Sequence, residues 1–216
     1  MRITDKIGLP NQLKFSREVL KDVNIRVELD LGSGQNPRRV FCKEKGIKQI
    51  LVDLSYNENN VDNDPDIKIL KCDFMDLDSL KLNLTEFSKI DGVVSIGSIE
   101  HVSKFNGLKM ISNMLAIASS YIIIETPNGF VHQSAVGGNT HQIHLSGWSV
   151  RDFREHGFTV WGTTGLKFLK NDFDKGSYKI NFRGIKLLDV VLSKIISPKL
   201  FPRMYFNLFA FKHLES

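Results

Sequence analysis

The sequence predicts an α/β fold in which helices cover a mostly parallel β-sheet. Short runs of branched apolar residues alternate with helix-like patterns, and the first run leads into a glycine-containing turn. Neither an internal repeat nor a low-complexity segment interrupts this alternation. With 216 residues, of which 42% are hydrophobic and 25% charged, the chain suits one domain spanning 1–216.

Seven apolar runs are predicted to be strands. In chain order they are 27–31, 49–53, 67–72, 90–96, 121–125, 158–161 and 205–212. The fourth run is apolar throughout after Asp91, so we expect it in the centre of the sheet, where both faces are covered.

Helices are predicted between these runs from their caps and from the helical spacing of apolar residues. Their ranges are 14–22, 36–45 (capped by Asn36 with Pro37 next), 104–118 and about 149–157. The last of them begins with a capping box of Ser149 and Asp152 and stops at Gly157. Residues 170–203 predict a mostly helical insertion, whose LLDVVLSKII run we expect to pack against the core.

The composition indicates a soluble cytoplasmic protein. The two cysteines, Cys42 and Cys72, show no disulfide pattern and suggest reduced thiols. We see no secretory signal at the beginning and no apolar window long enough for a membrane span.

A net charge of +5 comes partly from the C-terminal region. Its cationic residues are Lys167, Lys170, Lys175, Lys179, Arg183, Lys186, Lys194, Lys199, Arg203 and Lys212. A solvated basic surface explains them, and an acidic or lipid-linked substrate is the alternative. The aromatic residues among them favour a core strand, with an apolar basic face near a membrane as the other possibility.

The turn after the first strand predicts a nucleotide-like ligand. Asp30, Gly32 and Gly34 follow an apolar strand directly, with Ser33 between the glycines. Glycine allows a sharp turn and lets a ligand approach where a Cβ would collide. The amide groups at the following helix start favour polar or negative ligand groups.

Two acids end the next two strands, at the edge where the glycine turn lies. Asp53, followed by Leu54, can accept hydrogen bonds from both hydroxyls of a ribose. Asp73 can accept from an adenine amino group, and Phe74 can supply an apolar wall. A turn or cap residue is the alternative for Asp53, and core packing is the alternative for Phe74.

These motifs resemble those of class I S-adenosylmethionine-dependent methyltransferases over essentially the whole chain. The matching segments are LDLGSGQNP, LVDLS, CDFMDL, DGVVSIGSIEHV, IIIETPNG and HLSGWSVRDFREHGFTV. The resemblance implies a Rossmann-like three-layer αβα sandwich with a seven-stranded, mostly parallel sheet. Its last strand would insert antiparallel between the previous two.

The resemblance also implies that S-adenosylmethionine is the cofactor and S-adenosylhomocysteine the product. Asp30, Gly32, Ser33 and Gly34 would frame the methionine moiety. The remaining cofactor-binding residues would be Asp53, Leu54, Asp73, Phe74, Ser95, Ile96 and Gly97. The family often has a third glycine where this chain has Asn36, which implies only a local adjustment.

A nicotinamide-dependent oxidoreductase is the main rival for a glycine turn followed by an acid. Its fingerprint requires a glycine where this chain has Pro37, and it does not predict Asp73. A catalytically silent S-adenosylmethionine-binding partner subunit is the other alternative, because intact binding residues do not establish turnover.

His101 is the first candidate for a catalytic base, with Glu100 beside it, because it follows the central strand at the expected substrate edge. A structural role as a cap or support is its alternative. His132, His141 and His144 lie in the long loop after the fifth strand, which we expect to cover the active site, and a structural or lid role is expected of His144. We predict no metal, because Gly97 stands where some related O-methyltransferases have the first carboxylate of an ExxEH metal-binding pattern.

We expect O-methylation of a small molecule, a glycan or a lipid-linked precursor. The base-modifying members of the superfamily carry an Asn/Asp-Pro-Pro-aromatic motif where this chain has Ser95–Ile96–Gly97–Ser98. The chain also lacks a basic stripe interleaved with aromatic residues, so nucleic acid is not indicated.

Overall fold

A computed structural model describes residues 12–34, 46–54, 64–171 and 183–215. Seven strands form one sheet in the order β3-β2-β1-β4-β5-β7-β6. Their bounds are β1 Val27–Leu31, β2 Lys48–Val52, β3 Ile67–Leu70, β4 Ile90–Ile96, β5 Ala118–Pro127, β6 Thr159–Leu166 and β7 Tyr205–His213. All seven predicted strands are therefore present, and β4 is the fourth of seven across the sheet, as its apolar run predicted.

The sheet has the mixed topology that the resemblance implies. Strands β1 to β5 pair in parallel, whereas β7 pairs antiparallel with both β5 and β6. The last strand therefore lies between the previous two, and β5 and β6 run in the same direction. The predicted αβα sandwich is confirmed.

Five α-helices are present in the described parts of the chain. They are α1 Gln12–Val19, α2 Leu77–Asn83, α3 Lys104–Ile117, α4 Val150–Glu155 and α5 Arg183–Ile195. The capping box of Ser149 and Asp152 is present at α4, and Gly157 has a φ of +78°, so both predicted signals are confirmed. The predicted helix over 36–45 and Cys42 lie outside the described residues.

Helix α2 was not predicted. Its N-cap is Asp76, whose side chain accepts a hydrogen bond from the backbone N–H of Ser79 at 3.1 Å. The helix is short and buries only Leu80 along its length, so its apolar pattern is too brief to distinguish from a loop.

Apolar side chains cover the sheet on both faces. One cluster includes Leu31, Ile50, Val93, Ile122 and Trp148. The cluster on the other face is built from the alternate strand positions and from helix α1; its members include Phe15, Val94, Tyr121, Ile123 and Phe209. Among the described helices, each is too short or too polar to cross a bilayer.

The predicted insertion over 170–203 contains α5 and a short 3₁₀ turn at Pro202–Met204. Only part of its apolar run packs as predicted: Leu192 and Ile196, together with Ile185 just before the run, lie against Leu166 and neighbouring residues. Other apolar side chains of the run are exposed, and polar ones are buried in their place. The packing prediction was therefore wrong for the outer half of this helix.

Candidate functional site

A cavity of about 500 Å³ lies where strands β1, β2 and β4 end. It is lined by Asp30, Gly32, Ser33, Gly34, Asp53, Leu54, Asp73, Phe74, Met75, Ile96, Gly97, Ser98, His101, Val102, Asn106, His141 and Gln142. Because parallel strands end at one edge of a sheet, the loops after several strands converge on this cavity. Its volume is within the range of small-molecule and cofactor sites.

The glycine turn forms one wall of the cavity. Gly32 has a φ of +71°, and its backbone N–H donates to the carbonyl of Val52 at 2.8 Å. A Cβ at this position would lie 2.3 Å from Ser98 Oγ and 2.6 Å from Ser98 Cβ. Both the backbone conformation and the close approach of the loop after β4 therefore require glycine here.

Asp53 lies beside this turn, directly after β2. One of its carboxylate oxygens, Oδ2, accepts a hydrogen bond from the backbone N–H of Gly34 at 2.9 Å. The acid is thereby held against the turn while it lines the cavity. A carboxylate oriented in this way can accept hydrogen bonds from neighbouring hydroxyl groups of a ligand.

Asp73 and Phe74 reach the cavity from the loop after β3. Asp73 Oδ1 accepts from the backbone N–H of Met75 at 2.8 Å, which holds the loop in a tight turn. Asn113, buried on α3, donates from its side-chain amide to the carbonyls of Phe74 and Met75. The helix thus holds the loop that carries the second predicted acid.

The cavity offers polar groups where a nucleoside-type ligand would need them. Among the residues that the structure describes, Ser33 Oγ is buried without a hydrogen-bond partner. It lies between the two glycines of the turn, and Asp30, which is 6% exposed, lines the same wall. A buried hydroxyl without a partner costs stability unless a ligand or water satisfies it, so the cradle fits a polar ligand.

The end of β4 and the loop after it supply two of the three cavity residues predicted there, Ser95, Ile96 and Gly97. Ile96 and Gly97 line the cavity, and Gly97 has a φ of +69°. Ser95 does not line it, because this side chain is fully buried within β4. Leu54, which is exposed, also lines the cavity, directly after Asp53.

The candidate base belongs to the 3₁₀ turn Ile99–His101 that follows β4. His101 lines the cavity wall, and its Nδ1 donates to the carbonyl of Ile143 at 3.2 Å. Because a carbonyl only accepts hydrogen bonds, Nδ1 carries the proton in the neutral ring and Nε2 is the acceptor nitrogen. His101 therefore has the tautomer that a base acting through Nε2 requires.

Glu100 does not line the cavity. It is 5% exposed, and its Oε2 accepts a hydrogen bond from Thr126 Oγ1 at 2.9 Å. Its backbone carbonyl accepts from the N–H groups of Leu145 and Ser146, which ties the loop after β5 to the loop after β4. These contacts suit a residue that positions the loops around His101.

His144, which belongs to the loop after β5, lies close to Glu100 and His101. The centroids of the His144 and His101 rings are 4.8 Å apart. The Nδ1 of His144 donates to the carbonyl of Val131 at 2.6 Å. Glu100, His101 and His144 offer ligand atoms within 4.8 Å of one another. One carboxylate with two imidazoles is a set that can bind zinc, whereas magnesium prefers more oxygen ligands.

Burial lowers the pKa of His101 below its ordinary value of 6.5. The neighbouring His144 lowers it further, while the backbone carbonyls of Ile143, Gln142 and Gly97 oppose the shift. His101 is therefore neutral at pH 7 and can accept a proton from a substrate.

The lowered pKa predicts a loss of stability in acid. As the pH falls below 6.5, the unfolded chain binds a proton at His101 that the folded chain still refuses, so the free energy of unfolding falls. We expect the Tm of wild type to drop more between pH 7.5 and pH 5.5 than that of His101→Gln. His132→Gln, which removes an exposed ring, should keep the wild-type dependence, and an equal drop in all three would contradict the prediction.

Several cavity residues were not predicted as site residues. They are Met75, Ser98, Val102, Asn106, His141 and Gln142. His141 and Gln142 belong to the 3₁₀ turn Thr140–Gln142, far along the chain from the glycine turn. Sequence spacing carries no signal for them, because an irregular loop reaches the cavity only through tertiary contacts. His132, by contrast, is exposed and does not line the cavity.

No protein-family model and no curated protein sequence matches the chain. Solved structures do match. A SAM-dependent methyltransferase from Archaeoglobus fulgidus is 19% identical, with 98% of this chain and 97% of that chain covered and a TM-score of 0.50.

Two further structures show the same similarity. A 1,6-didemethyltoxoflavin-N1-methyltransferase from Burkholderia thailandensis, with bound 1,6-didemethyltoxoflavin and S-adenosylhomocysteine, is 13% identical, with 94% of this chain and 76% of that chain covered and a TM-score of 0.52. The N-terminal domain of EvdMO1, in the presence of S-adenosylhomocysteine and D-fucose, is 10% identical, with coverages of 94% and 82% and a TM-score of 0.55. The chain therefore has the fold of the class I S-adenosylmethionine-dependent methyltransferases.

Proposed function

We propose that this protein is an S-adenosylmethionine-dependent methyltransferase that methylates a hydroxyl group, with His101 as the base. The observation that carries the proposal is the convergence of the Gly32–Gly34 turn, Asp53 and Asp73 on one cavity that His101 also lines. Each of these groups belongs to a different loop at the same edge of the sheet. A cavity of this composition fits a ligand with a ribose, an adenine and a charged amino-acid part.

The residues that would hold the cofactor divide by its three parts. Asp30 and the glycine turn would frame the methionine moiety, Asp53 would bind the ribose, and Asp73 with Phe74 would bind the adenine. When bound, S-adenosylmethionine supplies a methyl group activated by its sulfonium. The chain's own contribution is to hold the acceptor close and aligned and to keep water away.

A hydroxyl nucleophile must lose its proton as it attacks, and His101 is placed to take it. Its Nδ1 is occupied by the carbonyl of Ile143, and its pKa is lowered by burial. Nε2 would therefore accept the hydroxyl proton at neutral pH. Glu100 and His144 would hold the loops and the ring in position, without contact with the acceptor. We propose that this chemistry proceeds without a metal ion.

The residues around His101 favour a polar acceptor. Asn106, His141 and Gln142 line this side of the cavity and can donate or accept hydrogen bonds, while Val102 supplies an apolar contact. A hydroxylated small molecule, a glycan or a lipid-linked precursor suits such a wall.

Calorimetric titration of the purified protein with S-adenosylmethionine, S-adenosylhomocysteine and NADH tests the proposal. We expect micromolar binding of both sulfur nucleosides and none of NADH. Binding of NADH alone would overturn the proposal in favour of a nicotinamide-dependent oxidoreductase.

Turnover is tested separately, since binding alone is also expected of a silent partner subunit. S-adenosylhomocysteine formation would be measured in a screen of hydroxylated sugars, phenols and lipid-linked sugars. Product formation with any of them supports an active enzyme. Tight cofactor binding with no turnover across the screen would favour the silent subunit.

A further inference from the structure

Helix α5 buries polar side chains beside its core-packed apolar ones and exposes a second set of apolar side chains on its outer face. Asp189 and Ser193 on its inner face are 0% and 5% exposed. Large apolar side chains on its outer face are exposed; these are Leu187, Leu188, Val191 and Ile195. They recur at helical spacing and form one stripe along the helix.

Specific hydrogen bonds hold the helix in this rotation. Asp189 Oδ1 accepts from the backbone N–H of Leu166 at 2.8 Å and from Ser193 Oγ at 3.2 Å. The backbone of Gly165 is so close that a Cβ there would lie 2.1 Å from Asp189 Oδ2. Lys170, itself 5% exposed, lies 4.0 Å from the same carboxylate. Turning the apolar stripe inward would move Asp189 outward and take this acceptor away from the backbone N–H of Leu166 and from buried Lys170, at a large cost.

The apolar surface continues beyond the helix. The chain folds back after Ile195. The backbone N–H of Phe201 donates to the carbonyl of Ser197 at 2.9 Å, and Tyr205 Oη donates to the carbonyl of Ile196 at 2.5 Å. This segment exposes three more large apolar side chains, Leu200, Phe201 and Met204. We call the exposed apolar residues of 187–204 the C-terminal apolar surface.

Positive charge surrounds this surface. Lys186, Lys194 and Arg203 are exposed next to its apolar residues, and Asp189, the acid of the 186–204 segment, is fully buried. Lys199 is also present, but it pairs with Glu18. Within residues 186–204 the exposed charges are thus cationic; the exposed Glu18, which pairs with Lys199, comes from α1. Exposed apolar side chains with cationic neighbours are typical of a helix that lies in the interface of an anionic bilayer.

We propose that the C-terminal apolar surface binds peripherally to an anionic lipid bilayer. A second copy of the same chain suits the surface less well, because a two-fold contact would bring its cationic side chains against one another. The proposal concerns membrane binding and does not depend on methyltransferase activity.

The surface lies at the same edge of the sheet as the cavity. Strand β6 runs in the direction of β5, and its last residue, Leu166, holds Asp189 of α5. Asn128, at the end of β5, donates to the carbonyls of Arg203 and Tyr205. Together with the proposed function, on which this step rests, this placement favours a lipid-linked acceptor over a freely soluble one.

Vesicle sedimentation tests the proposal. The purified protein would be mixed with vesicles of phosphatidylcholine alone or with phosphatidylglycerol added. We expect sedimentation with the anionic vesicles, weakened by salt. Leu187→Glu and Ile195→Glu should each lower the partition coefficient about tenfold or more, because a charge replaces an inserted apolar group. Leu82→Glu, at an equally exposed position on α2, should leave it unchanged.

The charge contribution is tested in the same assay. Lys186→Gln and Lys194→Gln should each weaken binding to anionic vesicles about fivefold. Lys81→Gln and Lys109→Gln, on exposed positions of α2 and α3, are the matched controls and should have no such effect.

Two results would overturn the proposal. One is a wild-type protein that stays in the supernatant with both kinds of vesicle. The other is a wild-type dimer, measured by light scattering, that Leu187→Glu makes monomeric without any binding to vesicles. Calorimetry with S-adenosylhomocysteine on the same variants separates these results from a failure of the proposed function, since cofactor binding should be unchanged.

Discussion

Replacement of His101 by alanine should lower turnover by about 10²–10⁴-fold, the usual contribution of a general base. Its affinity for S-adenosylhomocysteine should stay close to that of wild type, because the predicted cofactor contacts come from other loops. The physical reason is the loss of a neutral imidazole whose Nδ1 is held by the carbonyl of Ile143 and whose Nε2 accepts the proton. The measurement is S-adenosylhomocysteine formation with an acceptor identified by screening.

His141→Ala is the matched control, because His141 also lines the cavity but is exposed and belongs to a different loop. We expect a much smaller loss of turnover from it. Equal turnover of His101→Ala and wild type would return His101 to a structural role. Thermal unfolding of both variants would show that any loss comes from chemistry and not from a misfolded chain.

The same assay decides between a free base and a metal ligand. Treatment with a chelator should leave wild-type turnover unchanged if His101 acts without a metal. Loss of turnover that added Zn²⁺ restores would instead assign Glu100, His101 and His144 as a metal site. The chelator treatment is needed because the ligand atoms of these three residues lie within 4.8 Å of one another.

Asp53→Ala should weaken cofactor binding by about 1–3 kcal/mol, which is a loss of roughly 5- to 150-fold in affinity. The variant removes charge-assisted hydrogen bonds to the ribose. It also removes the acceptor for the backbone N–H of Gly34, so the glycine turn loses a support. Calorimetric titration with S-adenosylhomocysteine measures the change.

Asp53→Asn separates the two contributions, because its amide oxygen can still accept from Gly34 while the negative charge is lost. We expect its affinity to fall between those of wild type and Asp53→Ala. Asp66→Ala, which removes an exposed acid before β3, is the control and should bind normally. Unchanged affinity of Asp53→Ala would remove this residue from the cofactor site.

The strands could be predicted because buried strands of a parallel sheet are apolar on both faces. Val27–Leu31 and Ile90–Ile96 have the predicted bounds. Strand β5 is longer than its apolar run and extends over Ala118–Pro127: Ala118 pairs with Ile90 of β4, and the last residues pair with β7. Its later end depends on a partner from the end of the chain, and the local sequence carries no sign of that partner.

The meeting of the glycine turn and the two acids at one cavity could be predicted for a related reason. Gly32 and Asp53 follow their strands directly and Asp73 comes three residues after the end of β3, and neighbouring parallel strands end at one edge. Ser95 was predicted to line the cavity, but it is buried within β4, and Ile96, the next residue, is the first of this segment to line it. Successive side chains of a strand face opposite sides, so a shift of one residue takes a side chain out of the site.

By itself, the sequence determined the sheet, its central strand, and the edge where the glycine turn and the two acids meet. These features follow from local apolar patterns and from the direction of parallel strands. Only the tertiary structure decided that His144 contacts His101 and that Glu100 lies behind the cavity wall. It also decided the rotation of α5: the apolar spacing predicts a helix, but the bond from Leu166 to buried Asp189 turns its apolar stripe outward.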